Sequence, residues 1–168
     1  LHFKPDGTKF YVTDNNTDYI YQYGLSTAWD ISTASYDSKS FLYSTQTAQG
    51  RDIHFKIDGT KVYLIDDTNE TVYQYTLSTA WDISTASYDS VSFSVTSQDT
   101  TPSGLTFNSS GTKMFIVGQQ NDLVYQYSLS TDWDVSTASY DSVSFSFGSQ
   151  ESVPYHITFK SDGTKFYI

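Results

Sequence analysis

The sequence contains no cysteine, so neither disulfides nor thiolate metal sites belong to this chain. It contains a single arginine, Arg51, and Lys and Arg together number 9 against 19 Asp and Glu. A formal charge of −10 excludes nucleic acid as a partner, because phosphate backbones need a basic surface. No apolar run approaches the length of a membrane span, so no span is expected. Serine-nucleophile, phosphate-loop and HExxH signatures are all missing. What the chain has in abundance is aromatic residues, 15 Tyr, 11 Phe and 3 Trp, which with Thr and Val lean the composition towards strands.

The dominant feature is repetition. The stretch Leu25–Ser38, LSTAWDISTASYDS, recurs letter for letter at Leu77–Ser90 and returns with two changes at Leu129–Ser142. Phe3, Phe55, Phe107 and Phe159 are each 52 residues apart, and a fixed period of this size signals a repeat architecture. The units run over about 1–49, 50–101, 102–153 and a partial 154–168. The chain ends part-way into its fourth unit, so a piece of a longer array is expected, with the remaining blades of the same chain as its first partners.

Each unit carries four strand signals. In the second, Arg51–Lys56 reads as a strand, and Asp58-Gly59 as a hairpin turn, because both turn residues tolerate positive φ. Val62–Ile65 is apolar on both faces, as a strand packed between neighbouring sheets should be. Val72–Leu77 places Tyr73, Tyr75 and Leu77 on one face, and Val91–Val95 alternates apolar residues with serine, the pattern of a half-exposed outer strand. Four antiparallel strands, repeated, make the blade of a β-propeller. The fold class is therefore all-β: three four-stranded blades and the first hairpin of a fourth, in an open arc. The first strand of each blade would line the channel. The loops before it (fourth strand to first) and between the second and third strands would share one face.

The segment Pro5-Asp6-Gly7-Thr8-Lys9-Phe10-Tyr11-Val12-Thr13-Asp14 resembles the YVTN and lactonase-like propeller repeats, whose blades carry a Pro-Asp-Gly turn followed by Tyr-Val-Thr-Asn. The later copies keep Asp/Ser-Gly-Thr-Lys but diverge in the strand, and the long signature loop has no counterpart in that pattern. The resemblance implies blade geometry and carries over no catalytic residue.

The loops that differ between units are the candidates for function, since scaffolds vary least and binding residues sit on loops. They contain Arg51, Asp52, Tyr155 and His156 at the channel mouth, and Asp66, Asp67, Asn121 and Asp122 in the adjoining turns. Arg51 either clamps a carboxylate ligand or pairs with a nearby acid. Asp14, Asn16 and Asp18 place oxygens at alternate positions as calcium loops do, but without the loop glycine or distal glutamate; a solvated turn is the competing reading, and no other cofactor is implied. His2, His54 and His156 lie on different blades, as channel metal ligands or as packed structural rings. Trp29, Trp81 and Trp133 are expected to be buried anchors of their loops, against the alternative of exposed platforms for sugar rings, with Asp30, Asp82 and Asp134 capping the turn that follows.

Near-identical blades without a lone catalytic constellation predict a non-enzymatic binding or structural scaffold with a protein or glycan partner. A secreted, cell-surface or virion setting fits the acidic, Ser/Thr/Tyr-rich surface. The alternative is a lactonase-like hydrolase with its site at the channel mouth or in blades outside this sequence.

Overall fold

The computed structural model describes residues 1–168. Three four-stranded antiparallel sheets follow one another in simple meander order, and a two-stranded hairpin completes the arc. Blade one comprises β1 (His2–Phe3), β2 (Lys9–Asp14), β3 (Tyr19–Leu25) and β4 (Ala34–Leu42). Blade two comprises β5 (Gly50–Phe55), β6 (Lys61–Asp66), β7 (Thr71–Leu77) and β8 (Ala86–Ser94). Blade three comprises β9 (Pro102–Phe107), β10 (Lys113–Gly118), β11 (Leu123–Leu129) and β12 (Ala138–Ser146). The last hairpin pairs β13 (Thr158–Phe159) with β14 (Phe166–Tyr167). No helix is long and apolar enough to cross a membrane.

The repeated signature loop has a repeated cause. Asp30, Asp82 and Asp134 each accept the backbone N–H two residues on, capping a three-residue 3₁₀ turn, as a short carboxylate at an N-cap does. Further along, every fourth strand skips register opposite the Gln-Tyr step of the third, with Ser38, Ser90 and Ser142 at positive φ. That bulge turns Asp37, Asp89 and Asp141 back into the sheet. Asp89 there accepts from Lys61 Nζ and Gln74 Nε2, both at 2.8 Å, and Asp37 and Asp141 repeat the arrangement. The letters Tyr-Asp-Ser are thus a bulge with a built-in counter-ion.

The core lies between blades. One cluster joins Tyr11 and Ile20 of blade one to Ile53, Leu64, Tyr75 and Ile83 of blade two; a second joins Tyr63, Ile65 and Val72 to Leu105, Ile116, Tyr127 and Val135. Polar bonds cross the same seams in matched pairs. Tyr11 and Tyr63 donate their hydroxyls to the Trp81 and Trp133 carbonyls at 2.7 Å. The Ile83 and Val135 N–H groups donate to Gln22 and Gln74 at 3.0 and 3.1 Å.

Each tryptophan sits at positive φ and lies flat on the turn glycine of its own blade, so that a β-carbon on Gly7, Gly59 or Gly111 would meet the ring at 2.4 Å. Burial of the three rings is unequal, which departs from the expectation of equivalent anchors. Trp133 is 8% exposed, Trp81 is half-buried, and Trp29 is 60% exposed. The glycine turn covers only one face of each ring; Tyr11 and Tyr63 of the preceding blade pack on Trp81 and Trp133.

Candidate functional site

The channel mouth is a pocket of about 270 Å³. Its wall brings together Arg51, Asp52, Tyr155 and His156 with Thr13, Asn15, Gly50, Ser103 and Leu1. At its base the Asp52 side chain is 2% exposed, whereas the His156 ring is 43% exposed. Burying a carboxylate is costly unless every lone pair has a donor. Asp52 is held by donors from three successive blades. Oδ1 accepts the Ile53 N–H at 2.9 Å, and Oδ2 accepts the Leu105 N–H of blade three at 3.2 Å. Nδ1 of His156, from the fourth unit, lies 2.8 Å from the same Oδ2. With a carboxylate oxygen as the acceptor, Nδ1 is the donor of this bond, and Nε2 makes no bond within the chain.

Space for this arrangement depends on Gly104, where a β-carbon would come within 2.9 Å of the His156 backbone. Arg51 takes the second of its two expected roles. Nε donates to Asp67 Oδ2 at 2.6 Å and Nη2 meets the same oxygen, which holds the guanidinium at the rim. Thr13 Oγ1 reaches back to the Arg51 carbonyl at 3.4 Å.

The other sequence candidates lie outside the lining. Asp66 is buried and caps its own turn, accepting the Thr68 and Asn69 N–H groups at 2.6 and 2.9 Å. Asn121 donates to the Gln98 carbonyl and to the Tyr125 hydroxyl, and Asp122 adopts φ 53° at the turn apex. In the calcium-like loop, Asp14 accepts from the Asn16 N–H at 2.9 Å and the Thr17 hydroxyl at 2.8 Å, and Asp18 takes φ 60°. These are the bonds of a self-capped turn. No group of three or more Asp, Glu, His or Cys converges anywhere in the chain.

His2 and His54 line the opposite, aromatic part of the channel. Their rings meet edge-on at 5.2 Å, and His2 packs on Phe55 as His54 packs on Phe107. Burial pushes His2 down to about 3. Burial likewise holds His54 well below its ordinary value. Both rings are neutral at pH 7 and act as packing wedges between blades.

Thr13, Asn15 and Ser103 are site residues that the sequence pattern did not single out. A signal for them exists: Asn15 lies in a turn that differs between copies, Thr13 stands at the end of the strand before it, and Ser103 aligns with Arg51 at the 52-residue period.

No protein-family model and no curated protein matches the chain. Solved structures do. A candidate 6-phosphogluconolactonase from Bacteroides uniformis superposes with a TM-score of 0.62 at 13% identity, over 98% of this chain and 45% of its own. A protein of unknown function from Desulfotomaculum acetoxidans gives 0.62 at 12% identity, over 99% of this chain and 49% of its own. The periplasmic gluconolactonase PpgL of Pseudomonas aeruginosa gives 0.56 at 14%, over 83% and 36%. The fold is that of the lactonase-like β-propellers. The resemblance first carried by the Pro-Asp-Gly-Thr-Lys hairpin therefore extends to the whole chain, which spans less than half the length of these propellers. The same neighbours correct the expectation of a non-enzymatic scaffold. Blade similarity, the ground for that reading, describes the outer frame, while the proteins that share the frame favour the lactonase-like alternative.

Proposed function

We propose that the channel mouth hydrolyses a sugar lactone, the substrate class named for the gluconolactonase neighbours. The observation that carries this reading is the buried Asp52 fixing the Nδ1–H of a half-exposed His156, which presents Nε2 to the pocket as a general base. Nε2 takes a proton from a water molecule as its oxygen attacks the lactone carbonyl. The ring C–O bond then breaks, and the imidazolium returns the proton to the leaving alkoxide, giving the open hydroxy acid. Arg51, held by Asp67, with the hydroxyl of Tyr155, supplies donors for the carbonyl oxygen and the sugar hydroxyls.

Hydrolysis of D-glucono-δ-lactone, followed by pH-stat near pH 6.5 against the buffer rate, tests the reading. His156→Ala should lower kcat by about 10²-fold or more, and His156→Asn, which keeps an N–H donor towards Asp52 but carries no base, should do the same with the fold unchanged by circular dichroism. No rate above buffer for the unaltered chain, or an unaltered rate in His156→Ala, would remove the proposal.

A further inference from the structure

The solved propellers that share this fold are named for two substrates of different charge, a phosphorylated gluconolactone and gluconolactone itself. The charged side chains at the channel mouth bear on which kind it can hold. Arg51 and His156 are the basic side chains of the pocket lining, and no lysine lines it. With His156 uncharged as the base of the reaction above, a phosphate or carboxylate entering the pocket depends on Arg51 for a counter-charge.

Arg51 is already engaged. Its Nε and Nη2 converge on Asp67 Oδ2, and the Asp67 side chain is only 13% exposed, so little solvent screens the pair. An anion approaching the guanidinium meets the carboxylate that already sits on it. Asp52 adds a second negative charge at the base of the same pocket. Neutral oxygens are treated differently, because the guanidinium keeps N–H groups beyond those two for a lactone carbonyl or a hydroxyl.

The pairing belongs to one blade. At the 52-residue period Arg51 aligns with Ser103 and Tyr155, while Asp67 aligns with Asn15 and Gln119. The acid stands only where the arginine stands. Asn15 lines the pocket, and Gln119 donates to the Pro154 carbonyl at 2.8 Å, so an amide fits this turn in both other blades.

We propose that Asp67 determines specificity by charge: it neutralises Arg51, so that the channel mouth accepts an uncharged lactone, turns away a phosphorylated one and releases the carboxylate product. The identity of the substrate rests on the lactone-hydrolase reading; the exclusion of anions rests on the Arg51–Asp67 pair. Hydrolysis converts a neutral ring into an acid that is ionised at neutral pH, and an unpaired guanidinium would hold that product back.

Isothermal titration calorimetry with inorganic phosphate and with 6-phosphogluconate tests the proposal without any need for turnover. Asp67→Asn should tighten binding of both by about tenfold or more, since it removes the charge in contact with Arg51 and keeps an acceptor oxygen. Adding Arg51→Gln should abolish the gain. The ratio of kcat/KM for 6-phosphoglucono-δ-lactone to that for D-glucono-δ-lactone should rise in Asp67→Asn by a similar factor. Asp67→Gln, which carries the residue type of blade three, takes its place if Asp67→Asn does not fold. No gain in anion affinity in a folded neutral variant, or a gain that survives Arg51→Gln, would overturn the proposal. A chain that hydrolyses no lactone would remove the reading of the reaction, and the calorimetry would still decide the exclusion of anions.

Discussion

The carboxylate of Asp99 occupies the space that a side chain on Gly118 would need: a β-carbon there would lie 2.1 Å from Asp99 Cγ. Gly118 aligns with Asp14 and Asp66, the turn-capping carboxylates of the first two blades. In blade three the cap comes from the preceding loop instead. Asp99 Oδ1 accepts the Thr101 N–H at 2.8 Å and the Gln120 N–H at 3.4 Å, and its other oxygen lies 3.5 Å from the Tyr125 hydroxyl.

That exchange predicts strong coupling. Gly118→Asp alone should destabilise the chain by about 2 kcal/mol or more, through two carboxylates forced into one buried site. Asp99→Gly alone should cost about 1–3 kcal/mol by leaving buried donors unpaired. The double variant, which puts the capping carboxylate where blades one and two carry it, should recover most of the loss. Urea melts of the four proteins measure the coupling; strictly additive effects would refute it.

Two turn glycines separate backbone strain from packing. Gly111 has φ +74° and lies under the Trp133 ring, whereas Gly163 has φ +72° and no atom within 4 Å of where a β-carbon would stand. Gly163→Ala should cost only the left-handed strain, about 1–2 kcal/mol, and Gly111→Ala distinctly more. Equal losses in thermal melts would mean that the indole lid contributes nothing.

Tyr63→Phe removes the hydroxyl that reaches the Trp133 carbonyl and leaves a buried acceptor unpaired. A loss of about 1–2 kcal/mol is expected in urea melts. Phe115 already occupies the equivalent position in blade three, so the ring itself is tolerated and the loss isolates the bond.

The histidine wedges make stability fall in mild acid. The folded pKa of His2 is about 3 against an ordinary 6.5, and that of His54 is also depressed, so below 6.5 the unfolded chain binds protons that the folded chain does not. Stability from these groups is complete above 6.5 and is lost progressively as pH falls towards the folded values. His54→Thr, the residue found at 106, should flatten the dependence of denaturation midpoint on pH between about 6.5 and 4. An unchanged slope would assign the acid sensitivity to other groups.

How much of this was legible in the sequence follows the range of the interaction. The capped 3₁₀ turn at Asp30 involves neighbours two residues apart, and the Gly59 hairpin is equally local, so both could be read directly. The Asp52–His156 bond spans 104 residues and exists only because successive blades rotate about an axis. The loops were placed at one mouth by topology, but which of their side chains touch depends on that rotation. Asp66, Asn121 and Asp122 look like Asp52 in sequence and serve their own turns. The cover of Trp81 and Trp133 likewise belongs to the blade before each, and no property of the loop itself encodes it.

The cross-blade bonds have a consequence for how such a chain can change in length. Tyr11 and Tyr63 reach carbonyls 70 residues ahead, and Gln22 and Gln74 receive N–H groups 61 residues ahead. Both spans are one unit plus a fixed remainder, and a residue inserted within one of the strands would turn the side chains beyond it to the other face and break the seam. Gain or loss of a whole unit leaves every remainder intact. Near-identical units also favour unequal recombination between them, so the same bonds that punish small insertions permit exchange in complete blades.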